Sequence, residues 1–487
     1  MPKSTVDYPE LPKQFRNGSW WSLLGFFGPG AIIACVTIAS GETVFASRGG
    51  ALYGYALLWI FVAGTLCKGL QLYSASRFMT LTSRSPLQSW ALLPGPRGWF
   101  VWLFVLLTLI WMPFFLSALP KMLGDFSIWV VGFPAPENAE QFARHGLYWG
   151  TFYIVAGISM TWFQSYGFLE KAQTAIVVLM LVSMIVAVIV CQPSLLAMFA
   201  GLIPQLPESA SWVSKKYPDI EQRGPWIEMM VYLGVIGGGA QDYLGYLGTM
   251  REKYWGMLGR SHESALDGPL AISESDENIR RGRRWLRAPQ IDVGISSIAV
   301  LVFTSCFVIL GAVILHPRQL VPNGFNLLTE QALFLKVLAG DATEVRFTVD
   351  WIYKTGIFFA FFGTIFGAYE IYTRTVHESL IAILPRLHSV TLRTVRFWTL
   401  IYLGGGGLLI LWFMDKNPVF IITPAALFGN GLLCGLWCYL MIWSDRREVP
   451  QRLRMPLLLQ FGLVVAGTVL TIGSIIGIVS FVQRYLM

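Results

Sequence analysis

Two acids stand in stretches where an apolar chain has little use for charge. Glu42 closes Ala39-Ser40-Gly41-Glu42 inside the hydrophobic run from Leu23 to Phe45. Asp242 closes Gly237-Gly238-Gly239-Ala240-Gln241-Asp242 inside the run from Trp226 to Met250. A carboxylate at membrane depth is expensive, so it normally faces a partner, a cavity or an ion path. The glycines predict that both helices are interrupted there. Unwound backbone in a bilayer is tolerated only where protein or a water-filled site covers its carbonyls. Paired interrupted helices point to a transport site. The pattern implies a path for an ion or solute built from Glu42, Asp242, Ala39, Gly237 and Gln241, with Ser40, Gly41 and Tyr243 as further ligands or gates. The competing reading is that the two acids pair with bases or hold structural water.

Other polar residues admit two readings each. Glu370, between Tyr369 and Tyr372, is either a third acid near the site or the i,i+4 ion-pair partner of Arg374. Lys68 would oppose a cation if it stood close to the acids, so it is expected to face away, snorkelling or neutralising an acid on a neighbouring helix. Cys434 and Cys438 are one helical turn apart, but two thiols make a poor metal site and read as small hydrophobes. The five histidines lie in loops or near span ends and form no cluster.

The elements that must position these residues follow from composition. Of 487 residues 55% are hydrophobic and only 13% charged, and the 19 Trp and 33 Phe suit lipid-facing and interfacial positions. A span needs about 20 mainly apolar residues. Eleven such segments lie near 22–46, 52–78, 99–120, 147–166, 168–191, 225–250, 290–315, 350–376, 395–413, 417–443 and 456–483. The net charge of +8 sits in the loops between them, which argues for topology and against nucleic acid. Lys and Arg are densest in the N-terminal tail and in alternate loops, so the N-terminus is expected in the cytoplasm and the C-terminus outside, in a plasma (inner) membrane. No removable signal peptide is evident. The interrupted spans one and six enter from opposite sides, as an inverted repeat of five plus five helices requires. The fold class expected is thus all-α and polytopic. Its parts are a cytoplasmic tail (1–21), a first five-helix repeat (22–191), an external connection (192–224), a second repeat (225–443, with the polar loop 251–289) and a final loop and helix (444–487). An external stretch around Leu327–Leu338 reads as a short amphipathic helix.

The run from Gly28-Pro29-Gly30 to Gly54-Tyr55-Ala56-Leu57-Leu58-Trp59 resembles the start of the Nramp (natural resistance-associated macrophage protein) family. Gly167-Phe168-Leu169-Glu170, the run Pro193 to Pro207, Ile291-Asp292-Val293 and Met414-Asp415 extend the likeness over nearly the whole chain. The resemblance implies a LeuT-type fold and proton-coupled transport of Mn²⁺ or Fe²⁺. The family's key positions differ here. Its Asp-Pro-Gly-Asn looks like Ala39-Ser40-Gly41-Glu42, and the positions of its metal-binding Ala and of its Met-Pro-His match Gly237 and Ala240-Gln241-Asp242. Its acidic residues of span three are missing from Trp111-Met112-Pro113-Phe114-Phe115-Leu116, and a polar residue of span ten looks like Pro424.

By that comparison a thioether is lost and two acids are gained, which shifts the site toward all-oxygen donors. Such donors suit Mg²⁺, Ca²⁺ and Mn²⁺. Mg²⁺ keeps several waters and touches one or two carboxylates, so Mg²⁺ is the first expectation and Mn²⁺ the second. The lost acids and the lost His imply transport without the family's proton coupling. Two other classes remain in view: a carrier of a small organic solute such as an amine or amino acid, and a non-transporting sensor. No nucleophile–base pairing, phosphate loop or cofactor motif suggests an enzyme, and no cofactor is implied. The oligomeric state is not legible.

Overall fold

The computed structural model describes residues 5–16, 25–96, 98–131, 139–163, 166–259, 269–323, 328, 330–336, 343–384, 389–414 and 418–485. Among these the chain is helical, with a single isolated bridge between Val6 and Ile272. Each of the eleven expected segments falls on a helix or a broken pair. They are α1 (Pro29–Tyr53), α2 (Leu58–Thr82), α3 (Trp99–Val131), α4 (Ala139–Phe163), α5 (Tyr166–Cys191), α6a (Pro218–Val235), α6b (Ala240–Met250), α7 (Arg287–Leu310), α8 (Thr343–Ile383), α9 (Leu392–Phe413), α10 (Pro418–Glu448) and α11 (Leu457–Tyr485). Seven helices among the described residues are long and apolar enough to cross a membrane by length and composition. Helix α2 is long enough too, but polar residues such as Lys68 and Arg77 line its buried face.

Position in the bundle follows the apolar surface each helix carries. The apolar window of α1 is 100% buried, whereas those of α9 and α11 are 39% buried. The outer helices expose Trp398, Ile401, Phe461 and Ile472. Such a surface suits lipid, and it leaves α1 as the central post of the bundle. The Gly404–Gly407 run serves packing, as its spacing suggests: a Cβ at Gly404 would come within 2.4 Å of Ile158.

Boundaries are set by local chemistry. Gly224 (φ 72°, ψ 156°) and Pro225 kink α6a, so its membrane-crossing part begins where the apolar run does. At the start of α1, the amides of Gly28 and Gly30 donate to the Asp292 carboxylate of α7 at 2.8 and 2.9 Å. The Tyr246 hydroxyl of α6b donates to the same group at 2.8 Å. An anion there satisfies orphan amides and the helix dipole together. Any side chain at Gly30 would strike Asp292.

At the other end, Arg48 of α1 meets Glu228 of α6a through two bonds of 2.9 and 3.1 Å, both groups buried. Tyr232 donates to the same carboxylate at 2.7 Å. The loop between α7 and α8 contributes short helical turns, Glu330–Ala332 and Leu333–Lys336, within the stretch expected to be amphipathic. Residues 324–327, 329 and 337–342 of that region lie outside the described ones. The polar loop after α6b carries a helix, Asp276–Trp285, that leads into α7.

Candidate functional site

The two expected interruptions differ in kind. In α1 the α-helix widens into a π-helix over Ile38–Ala46 without leaving helical backbone. A π-turn releases carbonyls from the regular ladder and is frequent at functional sites. In α6 the chain unwinds outright. Ile236 turns to ψ 134°, Gly237 and Gly238 take φ of 72° and 85°, and Gly239 is extended before α6b restarts. Only glycine adopts those two positive values at little cost.

The interruptions lie side by side. The Gly237 amide donates to Glu42 Oε1 at 2.9 Å. A Cβ at Gly41 would fall 2.7 Å from the Val235 side chain, so the glycine permits contact between the helices. Asp242 caps α6b, with Oδ2 accepting from the Gly239 amide at 2.7 Å and from Gln241 Nε2 at 3.3 Å. Gln241 also donates to Asn430 Oδ1 of α10 at 2.8 Å. Glu42, Gln241 and Asp242 are all buried; Glu42 Oε2 has no hydrogen-bond partner among the described residues, and Asp242 Oδ1 and Gln241 Oε1 have only the neighbouring Tyr372 hydroxyl to turn to. Buried acceptors so sparsely partnered around one break invite a donor or a cation.

Other expected residues fall as follows. Gly237 is in place, but its carbonyl already accepts from the Tyr243 hydroxyl at 2.8 Å, so Tyr243 braces the break. The side chains of Ala39 and Ser40 lie outside the described residues. Glu370 is not brought to the cluster. Its carboxylate bonds Arg374 at 3.1 Å and Arg396 at 2.9 Å, so the ion-pair reading prevails and a third acid is not available. Cys434 and Cys438 are free and buried. Among the described residues no group of three or more His, Cys, Asp or Glu could hold a metal ion.

Lys68 departs most from expectation. It does not face away: its ammonium is buried and bonds Gly238 O at 2.5 Å, Asn430 O at 2.7 Å and Gly234 O at 3.3 Å. The break in α6 creates the attraction, because unwinding frees carbonyls that a helix would have used. Its charge is felt at both Glu42 and Asp242. Beside it lies a cavity of about 20 Å³, lined by Thr37, Thr65, Gly237, Ser296 and Ser297 among others. That is room for about one water. Asn430, which the sequence pattern did not single out, sits in another π-helical stretch, Ala425–Leu432 of α10. Its polar side chain between Gly429 and Gly431 in an apolar span was the available signal. Thr375 of α8 adds a bond to the Gln241 carbonyl at 2.5 Å, and Tyr372 stands beside Asp242 and Gln241.

A helical membrane bundle with one broken helix, one π-widened helix and buried acids between them is the architecture of an integral membrane transporter. The profile of the natural resistance-associated macrophage protein-like (Nramp) family matches residues 30–480, and the chain belongs to that family. The divalent metal cation transporter MntH of Deinococcus radiodurans is 27% identical over 194 residues, which are 38% of this chain and 40% of that relative. Crystal structures of the Eremococcus coleocola manganese transporter superpose with TM-scores up to 0.64 at 15% identity, over 99% of this chain and 91% of that one. MhsT in complex with L-phenylalanine gives 0.52 at 13% identity, over 95% and 98%. Both likenesses are of fold, which is of the LeuT type. The members of the family are membrane transporters and not enzymes.

Proposed function

We propose that this protein carries a divalent metal cation across the membrane by alternating access, with Mg²⁺ preferred and Mn²⁺ second. The observation that carries the reading is the trio of buried, sparsely partnered oxygens on Glu42, Gln241 and Asp242. Two carboxylates, one amide oxygen and water are hard donors. With no third acid beside them among the described residues, water completes the shell, which suits Mg²⁺. Family membership and the names of the MntH and manganese-transporter relatives support a divalent cargo. The basic N-terminal tail and alternate loops support a plasma-membrane protein with its N-terminus inside and its C-terminus outside. The facing interruptions support two five-helix repeats, 22–191 and 225–443, around the site.

The test is thermal unfolding of purified protein in detergent against Mg²⁺, Mn²⁺, Ca²⁺ and Cd²⁺, since a ligand stabilises the state it binds. Mg²⁺ and Mn²⁺ should raise the Tm of the parent, and Cd²⁺ should do little. Glu42→Gln and Asp242→Asn should each stay folded and lose the response. Parent-like responses in either variant would make the acids structural and end the metal reading.

A further inference from the structure

Lys68 is buried in the middle of α2, yet its ammonium meets no carboxylate directly among the described residues. Its polar contacts are Gly234 O, Gly238 O, Asn430 O and the Cys434 sulfur at 3.5 Å. An ammonium has three donors and no acceptor, and here all three can be spent on backbone carbonyls. The carbonyls come from places where helical bonding is disturbed: the end of α6a, the unwound turn after it and the π-helical part of α10. A cage of carbonyls that replaces water is how proteins hold desolvated monovalent cations. The Lys68 stem reaches that cage from a third helix, packed against Gly237. A charge so placed in a membrane bundle is costly unless it has work to do.

We propose that Lys68 is a tethered monovalent cation. It fills a carbonyl site among α2, α6 and α10 that would otherwise take Na⁺ or K⁺, and so frees the protein from needing either ion to hold the α6 break in shape. The inference is separable from the divalent cargo, because it concerns different oxygens and is read in monovalent salts with no divalent cation present.

The experiment follows the Tm of full-length protein in detergent in NaCl, KCl, choline chloride and methylammonium chloride at equal ionic strength. The parent should unfold at the same temperature in all four. Lys68→Ala, which empties the cage, should lose several degrees in choline chloride. NaCl or KCl should restore the loss, with Tm rising with the logarithm of cation concentration, and methylammonium should do the same. If Lys68→Ala gives no folded protein, Lys68→Ser prepared throughout in NaCl goes through the same series. An equal loss in all four salts overturns the proposal, as does failure of both variants to fold in NaCl. Recovery by methylammonium alone would make the cage a pocket for a hydrogen-bond donor and would also overturn it. A parent whose Tm depends on Na⁺ or K⁺ would show that a free ion is still needed.

Discussion

The interruptions of α1 and α6 meet at Glu42 and Gly237, but they are filled in opposite ways. Carbonyls around the widened part of α1 are answered by neutral donors. Thr364 bonds Cys35 O at 2.9 Å, Thr43 bonds Ile38 O at 2.8 Å, and Gln331 of the α7–α8 loop bonds Thr43 O at 2.9 Å. Those around the α6 break are answered by the Lys68 ammonium and the Tyr243 hydroxyl. A π-helix still bonds most of its own backbone, so dipoles suffice there. Two residues with positive φ surrender the ladder altogether, and the stronger field that results draws a charge. The difference teaches that the depth of a helix interruption, and not its mere presence, decides what chemistry settles in it.

The largest expected effect joins the two regions. Glu228→Gln would leave Arg48 buried without its counter-charge, a loss of about 3–5 kcal/mol in unfolding free energy. Removing both charges, as Arg48→Met with Glu228→Leu, should cost much less. A small loss from Glu228→Gln alone would mean that the two interrupted helices are not held together at that end.

Next come the glycines, which separate packing from backbone. Gly41→Ala presses on Val235 and should cost about 1–3 kcal/mol. Val235→Ala should recover only the side-chain part of it, because the Val235 carbonyl stands 2.8 Å from the added Cβ as well. Gly238→Ala should cost about 1–2 kcal/mol from its positive φ. Enlarging the space around it at Thr37 should recover little. No rescue at Gly41, or a rescue at Gly238 as large as the one at Gly41, would erase the distinction between a widened and an unwound helix.

Gln331→Ala removes bonds to Thr43 O and to Ser47 Oγ and should lower stability by about 1–2 kcal/mol. Because the lost donor is neutral, changing the cation of the buffer should not restore it.

The smallest effect is at Glu330, next to that donor. Burial lifts its carboxyl to about 7, with Lys216 pulling it back. The folded protein therefore holds the proton to higher pH than the unfolded chain does. The corresponding stability is complete below the ordinary carboxylate range and is lost as pH rises through about 7. Glu330→Gln should flatten the fall in Tm between pH 5 and 8, and an unchanged profile would place the titration elsewhere.

Much of this architecture was legible because apolar run length and Pro–Gly punctuation are local properties. The eleven segments, the start of the α6 crossing at Pro225 and the meeting of Glu42 with the α6 break all follow from them. Three consecutive glycines foretold a true unwinding at 237–239. Ala-Ser-Gly-Glu at 39–42 holds one glycine and no proline, a composition compatible with either a break or a π-turn, and packing chose the latter. Arg374 at i+4 was visible as a partner of Glu370, but Arg396 arrives from another helix. Lys68 was misread because the direction of a long side chain depends on carbonyls supplied by helices 166 and 362 residues away. Asn430 differs: its signal, a lone polar side chain in an apolar span, was local, but its partner Gln241 comes from another helix.

The Asp292 carboxylate makes the first turn of α1 a latched door. Its keepers are two amides from α1 and one hydroxyl from α6b, so three segments share one acceptor group. Swinging the start of α1 away from α7 must release both amides at once, and neither can find water until the gap has opened. The barrier is then met early and all together, which makes the swing an abrupt event rather than a gradual drift. Asp292→Asn, which keeps the shape but weakens the grip, is expected to make that release easier.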